Sequence, residues 1–320
     1  MKISFVIPCY RSEATLVDVV NEIIATVSTR SDDYEIIMVN DNSPDNVYDI
    51  IKDLCKNNSK LKAIDFAKNF GQHAALMAGY SLCTGDIVFS VDDDGQAPID
   101  ELYSLIDKIN EGYDVVYGAY KSRKHSFFRN FGSKVNEIMS RILIGKPKNL
   151  KQTSFFAAKK FVITEILKYN NAYPYIGGLM IRTTSKIANV VVNHRERQSG
   201  KSGYTLKKLL SLWFNGFTAF SVKPLRISSI LGLFCSFLGM IYGIYTIVRK
   251  LIDPNIIIGY SSTLAVILFI GGIIMLMLGL IGEYLGRIYI CINKSPQYVI
   301  REKIDYSSNE IKKDENMGIQ

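Results

Sequence analysis

Short apolar runs alternate with longer amphipathic stretches over the first part of the chain. Each apolar run has the length of a buried strand, and each stretch between two runs suits a single helix. The predicted strands cover residues 3–7, 35–39, 61–66, 86–91 and 114–117. Strands that alternate with helices in this way are typical of a doubly wound, mostly parallel sheet. The pattern therefore predicts an α/β domain over residues 1–203.

The hydrophobic pattern changes near residue 225, where charged residues disappear from two long segments. Residues 227–248 and 254–282 contain no charged side chain, and a helix of about 20 residues spans a hydrocarbon layer of about 30 Å. We therefore expect a two-helix transmembrane hairpin over residues 227–286, with helices at about 227–248 and 262–284. The alternative is a helical hairpin buried in a soluble core.

Two further segments flank the predicted hairpin. Between Tyr204 and Phe220, large apolar and aromatic side chains recur at helical spacing. We interpret residues 204–226 as an amphipathic helix that lies in the membrane interface, with an ordinary core-packing helix as the alternative. Residues 287–320 are expected to form a cytoplasmic C-terminal segment that ends in a polar, disordered tail.

Basic residues near the spans predict the orientation of the chain. Lys223 and Arg226 precede the first span and Arg287 and Lys294 follow the second, whereas the connecting loop sets its basic residues beside an acidic one. Because basic residues accumulate on the cytoplasmic side of membrane proteins, both termini and the α/β domain should be cytoplasmic. We expect a multi-pass protein of a bacterial-type inner membrane.

Composition narrows the partners. The 320-residue chain has a formal net charge of +8, and its basic residues cluster near the predicted spans. Attraction to the lipid bilayer and to a phosphate substrate explains this charge better than nucleic acid does. The five cysteines have no spacing that indicates zinc or a disulfide framework, and the N-terminal apolar run is too short for a signal peptide.

Three adjacent carboxylates follow the fourth predicted strand. Asp92, Asp93 and Asp94 come directly after an apolar run, at the carboxyl end where open α/β sheets bind ligands. Carboxylates this close repel one another, so we expect a divalent cation that carries phosphates beside them. If strand geometry persisted, the side chains of Asp92 and Asp94 would point to one side, so that one could contact ribose or sugar and the other the metal.

Two other predicted strand ends carry candidate ligand contacts. Asp41 follows the second strand, where its carboxylate could accept a hydrogen bond from a pyrimidine N–H; an Asx turn that caps the next helix is the equal alternative. Lys68 follows the third strand, and Gly71 allows a tight turn into a helix. His73, in the first turn of that helix, is interpreted as a surface or capping residue.

A basic, glycine-punctuated loop precedes the interfacial segment. Arg195, Arg197, Lys201 and Ser202 lie in it, and guanidinium groups bind phosphate through paired hydrogen bonds. The loop therefore predicts phosphate binding, with a solvated basic loop or a lipid-headgroup contact as the alternative.

The motifs occur in an order that resembles family 2 glycosyltransferases of the polyprenyl-phosphate class. The matching motifs are Ile7-Pro8-x-Tyr10, Asp41-x-Ser43, Asn69-x-Gly71, Gly85-Asp86, Asp92-x-Asp94-x-Gln96-x-Pro98 and Arg197-x-x-Gly200-x-Ser202-x-Tyr204. Residues 71–73 and 282–289 look especially like the bacterial undecaprenyl-phosphate branch. The resemblance implies a GT-A fold, Mg²⁺ or Mn²⁺, and inverting transfer from a nucleotide-diphosphate sugar to a polyprenyl phosphate.

The resemblance also implies roles for individual residues. The nucleotide sugar would be bound by Pro8, Tyr10, Glu13, Asp41, Lys68, Asp92 and Asp93, and the metal by Asp94. Arg195, Arg197, Lys201 and Ser202 would contact the lipid phosphate or the diphosphate. Catalysis would depend on Asp92, Asp94 and Arg197.

The sequence departs from the pattern of the class in three places. Arg11-Ser12 replaces Asn-Glu, so Glu13 is the acidic residue left to contact the nucleotide. Ser154 stands in a stretch where many relatives carry an Asp proposed as base or acceptor-site residue, and Gly203 replaces a lysine. A lipid phosphate is already anionic near neutral pH and needs no such base, so the missing Asp favours a phosphate acceptor over a hydroxyl.

Two rival functions stay open. One is a glycosyltransferase that adds sugar to a hydroxyl of a lipid-linked saccharide. The other is a non-catalytic membrane scaffold that binds nucleotide sugars. For the scaffold or for a homo-oligomer, Gly239 and Gly243 are spaced as GxxxG and offer an association face, with packing inside one hairpin as the alternative.

Overall fold

The computed structural model describes residues 1–120, 141, 145–193, 223–252, 260–293 and 295–306. The chain forms two compact units. The sheet unit comprises Met1–Tyr204 together with Lys294–Gln320, and the hairpin unit comprises Thr205–Asn293.

Within the described residues, eight strands form one sheet in the sheet unit. They are β1 (Lys2–Cys9), β2 (Asp33–Asn40), β3 (Leu61–Phe66), β4 (Ile87–Ser90), β5 (Val115–Tyr120), β6 (Phe156–Lys159), β7 (Ile187–Val192) and β8 (Ile300–Asp305). Their order across the sheet is β7-β5-β6-β4-β1-β2-β3-β8. The helices of this unit are α1 (Leu16–Ser28), α2 (Val47–Asn57), α3 (Gln72–Tyr80), α4 (Leu102–Asn110), α5 (Lys160–Leu167) and α6 (Ile176–Thr183).

Four parallel strands form the middle of the sheet, in the order β4-β1-β2-β3. They are buried almost throughout, because parallel strands joined by helical crossovers are covered on both faces. All five strands predicted from the apolar runs are present. Because the four central strands run in one direction, the loops that follow them meet at the carboxyl-end edge of the sheet. Ligand sites form at this edge in α/β proteins.

The sheet is mixed rather than wholly parallel. β6 lies antiparallel between β4 and β5, and β8 lies antiparallel beside β3. The sequence patterns assigned no strand to β6, β7 or β8. β6 is only four residues long, and β8 has the charged sequence Ile-Arg-Glu-Lys-Ile-Asp, in which only Ile304 is buried.

Two glycines allow close packing around β1. A Cβ on Gly79 of α3 would lie 2.3 Å from Cγ1 of Val6, so the absence of a side chain lets this helix approach the sheet. A Cβ on Gly85 would lie 2.8 Å from the backbone N of Ser4. Close packing against β1 therefore explains the glycine of the Gly85-Asp86 motif. Asp86 also contacts β1, because it accepts a hydrogen bond from the backbone N–H of Lys2 at 3.0 Å.

The described part of the hairpin unit consists of two long helices, α7 (Lys223–Ile252) and α8 (Tyr260–Ile292). Each contains an unburied apolar window, Gly232–Arg249 with a mean hydropathy of 1.4 and Phe269–Ile292 with 1.8. Both helices are long and apolar enough to cross a membrane by length and composition. Of the predicted interfacial helix, residues 204–222 lie outside the described residues, as does most of the predicted tail, 307–320.

Candidate active site

The acidic triplet lies in a turn at the carboxyl end of β4. The strand ends at Ser90, so the extended geometry expected for Asp92 and Asp94 does not persist through them. Asp93 faces the β1–α1 loop, where its carboxylate accepts a hydrogen bond from the backbone N–H of Tyr10 at 2.9 Å. Its carbonyl oxygen accepts a second from the Thr15 hydroxyl at 2.5 Å. Asp93 therefore ties the triplet to the end of β1.

Both carboxylate oxygens of Asp92 accept hydrogen bonds from side chains. The Gln72 amide, at the start of α3, donates to Oδ1 at 2.8 Å, and the Ser154 hydroxyl donates to Oδ2. Burial raises the pKa of Asp92 to about 6, and the neighbouring Asp94 and Asp93 carboxylates raise it further. The hydrogen bonds from Ser154 and Gln72 lower the pKa but only partly offset this rise. The site thus holds an excess of negative charge that a bound cation would relieve.

Asp94 shares its surroundings with Asp92. Its Oδ1 accepts a hydrogen bond from the backbone N–H of Gln96 at 3.1 Å. The Tyr120 hydroxyl lies at the end of β5. Burial raises its pKa to about 12, and the negative charges of Asp92 and Asp94 add to that rise. Two carboxylates and a phenol therefore converge at this edge of the sheet.

The donor chemistry of the triplet fits a hard divalent cation. Mg²⁺ and similar ions are commonly bound by one or two carboxylates together with substrate phosphates and water. Among the described residues, no three His, Cys, Asp or Glu side chains are arranged to surround a metal by themselves. Asp92 and Asp94 suit the shared mode of binding, in which a phosphate ligand completes the coordination.

Asp41, at the end of β2, is buried and 4 % exposed. Its Oδ1 accepts a hydrogen bond from the backbone N–H of Phe70 at 2.7 Å, and its Oδ2 accepts one from Gly71 at 2.8 Å. Gly71 has a φ of +90°, which a glycine adopts readily. Asp41 thus stabilises the turn into α3, whereas the alternative interpretation placed it as a cap of α2. Each of its carboxylate oxygens keeps a second lone pair that can accept a hydrogen bond from a ligand. Burial raises the pKa of Asp41, and these two hydrogen bonds oppose the rise.

Hydrogen bonds join the loops that follow β1 and β2. The backbone N–H of Glu13 donates to Asp45, and the Glu13 carboxylate accepts a hydrogen bond from the backbone N–H of Asn46, both at 3.0 Å. The backbone N–H of Arg11 donates to the Ser43 hydroxyl at 2.7 Å. Glu13 therefore braces the β2–α2 loop at the place where a nucleotide contact was predicted.

The remaining predicted nucleotide contacts lie along the same edge. Pro8 is buried in β1 opposite Val39 of β2, and Tyr10, just beyond the strand, is 43 % exposed. Lys68 is exposed, with its Nζ 4.9 Å from the centroid of the Phe70 ring. The four predicted phosphate contacts, Arg195, Arg197, Lys201 and Ser202, lie outside the described residues.

Two contacts of Asp92 were not assigned from the sequence. Gln72 belongs to the Gly-Gln-His motif, and Ser154 lies just before β6, in the stretch where the sequence departs from the resemblance. β6 runs antiparallel to β4 with Phe156 opposite Ser90, so the residues just before β6 lie at the carboxyl end of β4. The departure at Ser154 was visible in the sequence, but its contact with Asp92 depends on this unassigned strand.

Comparisons with known proteins cover both units. Residues 4–169 match the family described as Glycosyl transferase family 2, and residues 223–288 match the GtrB C-terminal hairpin. The chain is 30 % identical over 318 residues to the uncharacterized glycosyltransferase YkcC of Bacillus subtilis (strain 168), with 98 % of each chain covered. It is also 30 % identical over 316 residues to the undecaprenyl-phosphate 4-deoxy-4-formamido-L-arabinose transferase of Yersinia pestis (strain Pestoides F), covering 98 % of this chain and 97 % of that one.

A solved structure shares the fold of the sheet unit. Glucosyl-3-phosphoglycerate synthase from Mycobacterium tuberculosis, in complex with Mn²⁺ and uridine-diphosphate-glucose, matches with a TM-score of 0.51 and 20 % identity. The match covers 68 % of this chain and 77 % of that one. The GT-A arrangement expected from the motifs is thereby confirmed.

Proposed function

Because the chain belongs to glycosyl transferase family 2, we propose that it transfers one sugar from a nucleotide-diphosphate sugar to a polyprenyl phosphate. The proposed acceptor is undecaprenyl phosphate, and the reaction takes place at the cytoplasmic face of a membrane. The observation that carries this proposal is the pair Asp92 and Asp94 at the carboxyl edge of four parallel strands, in a chain that also contains two membrane-length helices. The Yersinia relative, matched over nearly the whole chain, supports the acceptor.

The donor would bind across the ends of β1, β2 and β4. Tyr10, Asp41 and the braced loops beside them would receive the nucleoside, and Asp92 the ribose or the sugar. Asp94, beside Asp92, would hold Mg²⁺ or Mn²⁺, and this ion would offset negative charge on the departing diphosphate. The hydrogen bonds from Gln72 and Ser154 would hold the Asp92 carboxylate in place before the donor arrives.

The contact made by Ser154 supports a phosphate acceptor. In the proposed reaction, a phosphate oxygen of the acceptor attacks the anomeric carbon, the bond from that carbon to the diphosphate oxygen breaks, and the nucleoside diphosphate leaves. The Ser154 hydroxyl donates a hydrogen bond to Asp92, so Ser154 is not arranged to remove a proton from an acceptor. A phosphate monoester has its second pKa at about 6 and needs no base at neutral pH, whereas a sugar hydroxyl does.

The fold supports the proposed topology. β8 comes after both membrane-length helices in the chain, yet it pairs with β3 of the sheet unit. If α7 and α8 cross the membrane, this pairing needs an even number of crossings. The proposal therefore has both ends of the hairpin on the cytoplasmic side, with Arg195, Arg197, Lys201 and Ser202 as the contacts for the lipid phosphate.

Product chemistry tests the proposal. Membranes that contain the full-length protein are incubated with undecaprenyl phosphate and a panel of labelled nucleotide sugars. We expect an acid-labile lipid phosphodiester and release of a nucleoside diphosphate. Product formation should fall by about a hundredfold or more for Asp94→Asn and be unchanged for Asp53→Asn, which makes the same substitution on the exposed surface of α2. A glycosidic product on a lipid-linked saccharide would overturn the choice of acceptor.

A further inference from the structure

Residues 295–306, here called the return segment, are built into the sheet unit. β8 pairs with β3 from Lys62 opposite Asp305 to Phe66 opposite Ile300. The ring of Tyr298 stacks on Phe66 with centroids 5.3 Å apart. At the start of the segment, the Gln297 amide donates to the carbonyl oxygens of Tyr169 and Asn171, at 2.6 and 2.8 Å. The segment is thus held at several points to chain that precedes the hairpin.

Arg301 joins the return segment to a buried carboxylate. Its Nη1 lies 3.4 Å from Oδ2 of Asp65 in β3, and its Nη2 donates to the carbonyl oxygen of Ala67 at 3.0 Å. The Asp65 side chain is 3 % exposed, whereas that of Arg301 is 57 % exposed. The carboxylate of the neighbouring Glu302 accepts a hydrogen bond from the Tyr48 hydroxyl at 2.8 Å. Arg301 is therefore the cation that the return segment brings to Asp65.

The other oxygen of Asp65 leads to the nucleoside end of the site. It accepts a hydrogen bond at 2.7 Å from the side-chain amide of Asn40, the last residue of β2. The Asn40 side-chain oxygen in turn accepts a hydrogen bond from the backbone N–H of Ser43 at 3.1 Å. Asn40 is 3 % exposed, and with a donor contact on one side and an acceptor contact on the other it has one favourable orientation.

These contacts form a continuous path from the return segment to the β2–α2 loop that contains Asp41. We propose that Arg301 is a positioning residue for the nucleoside-binding loop, residues 40–45, acting through Asp65 and Asn40. The role of the loop rests on the proposed function, whereas its ordering by Arg301 does not. Without the guanidinium, the buried Asp65 carboxylate would lose the cation that contacts it and keep only the weaker attraction of Lys52 against the repulsion of Glu302. The Asn40 amide would then lose its fixed partner.

The test uses full-length protein in detergent micelles and compares Arg301→Met with Lys303→Met. Lys303 is exposed on the same strand, so this control removes one positive charge from β8 without touching the path. For Arg301→Met we expect hydrogen exchange in residues 40–45 to accelerate by about three- to tenfold and the KM for the nucleotide sugar to rise by a similar factor, with kcat unchanged. Lys303→Met should match the wild type in all three quantities.

A second variant separates positioning from general damage to the sheet. Asp65→Asn combined with Arg301→Met keeps an acceptor for the Asn40 amide but removes the buried charge, so we expect exchange in residues 40–45 and the KM to return toward wild type. Unchanged exchange in Arg301→Met, equal effects in Lys303→Met, or no recovery in the double variant would overturn the inference. Loop exchange that responds as expected in a protein that turns over no nucleotide sugar would support the ordering and overturn the proposed function instead.

Discussion

Replacement of Glu35 by Gln should remove a specific, acid-sensitive contribution to folding. Glu35 lies in β2 with its side chain 2 % exposed. Its Oε1 accepts hydrogen bonds from the Ser4 hydroxyl at 2.6 Å and from the Thr84 backbone and hydroxyl at 2.5 and 2.9 Å. Its Oε2 lies 3.1 Å from the Lys62 ammonium and 3.5 Å from that of Lys2. Burial by itself would raise the pKa of Glu35, but these partners outweigh it and lower the pKa to about 2.

The magnitude follows from the difference between the folded and unfolded pKa. A fall from 4.5 to about 2 corresponds to about 3 kcal/mol of unfolding free energy. Since the folded pKa is the lower one, this contribution is complete above pH 4.5 and is lost as the pH falls through 2. By pH 3 roughly 2 kcal/mol of it should be gone.

Urea unfolding followed by pulse proteolysis in detergent micelles measures this difference. At pH 7 we expect Glu35→Gln to be less stable than wild type by about 3 kcal/mol, and the gap should narrow steadily from pH 5 to pH 3. Glu165→Gln, in an exposed pair with Lys168 on α5, should differ from wild type by less than about 0.5 kcal/mol at every pH. A gap for Glu35→Gln that stayed constant with pH would refute the assignment to its charge.

Four further changes give separate readouts. Gly79→Ala should lower the unfolding free energy by about 1–3 kcal/mol in the same assay, because the new Cβ meets Val6. Asp94→Asn should reduce sugar transfer by about a hundredfold or more with little change in unfolding, and chelation by EDTA should abolish transfer in wild type until Mg²⁺ or Mn²⁺ is restored. Ser154→Ala should lower kcat by about tenfold, because it removes one of the two side chains that hold Asp92.

The central strands could be predicted from the sequence because of how they are buried. Residues of β1 to β4 are covered on both faces, so their apolar runs are nearly continuous and easily separated from the helices. β6 and β8 have no such signal. In β6 the run Phe-Ala-Ala-Lys is too short to identify a strand, and in β8 four of six residues are charged, as suits an edge.

The candidate site could also be predicted only in part from the sequence. The placement of Asp92, Asp93 and Asp94 at the sheet edge followed from the strand before them. Their individual orientations did not, because they depend on a turn and on partners distant in sequence, such as Tyr10 for Asp93. The path from Arg301 to Asn40 depends on a strand that follows the hairpin, and local sequence does not indicate which edge that strand joins.

The position of β8 has a consequence for biosynthesis. Ribosomes make β3 long before they make β8, and the helices α7 and α8 are translated in between. Until then, the free backbone groups along the outer side of β3 form an open edge to which another nascent copy could pair. If α7 and α8 insert into a bilayer as they are made, closure of that edge would take place on polypeptide already held at a lipid surface.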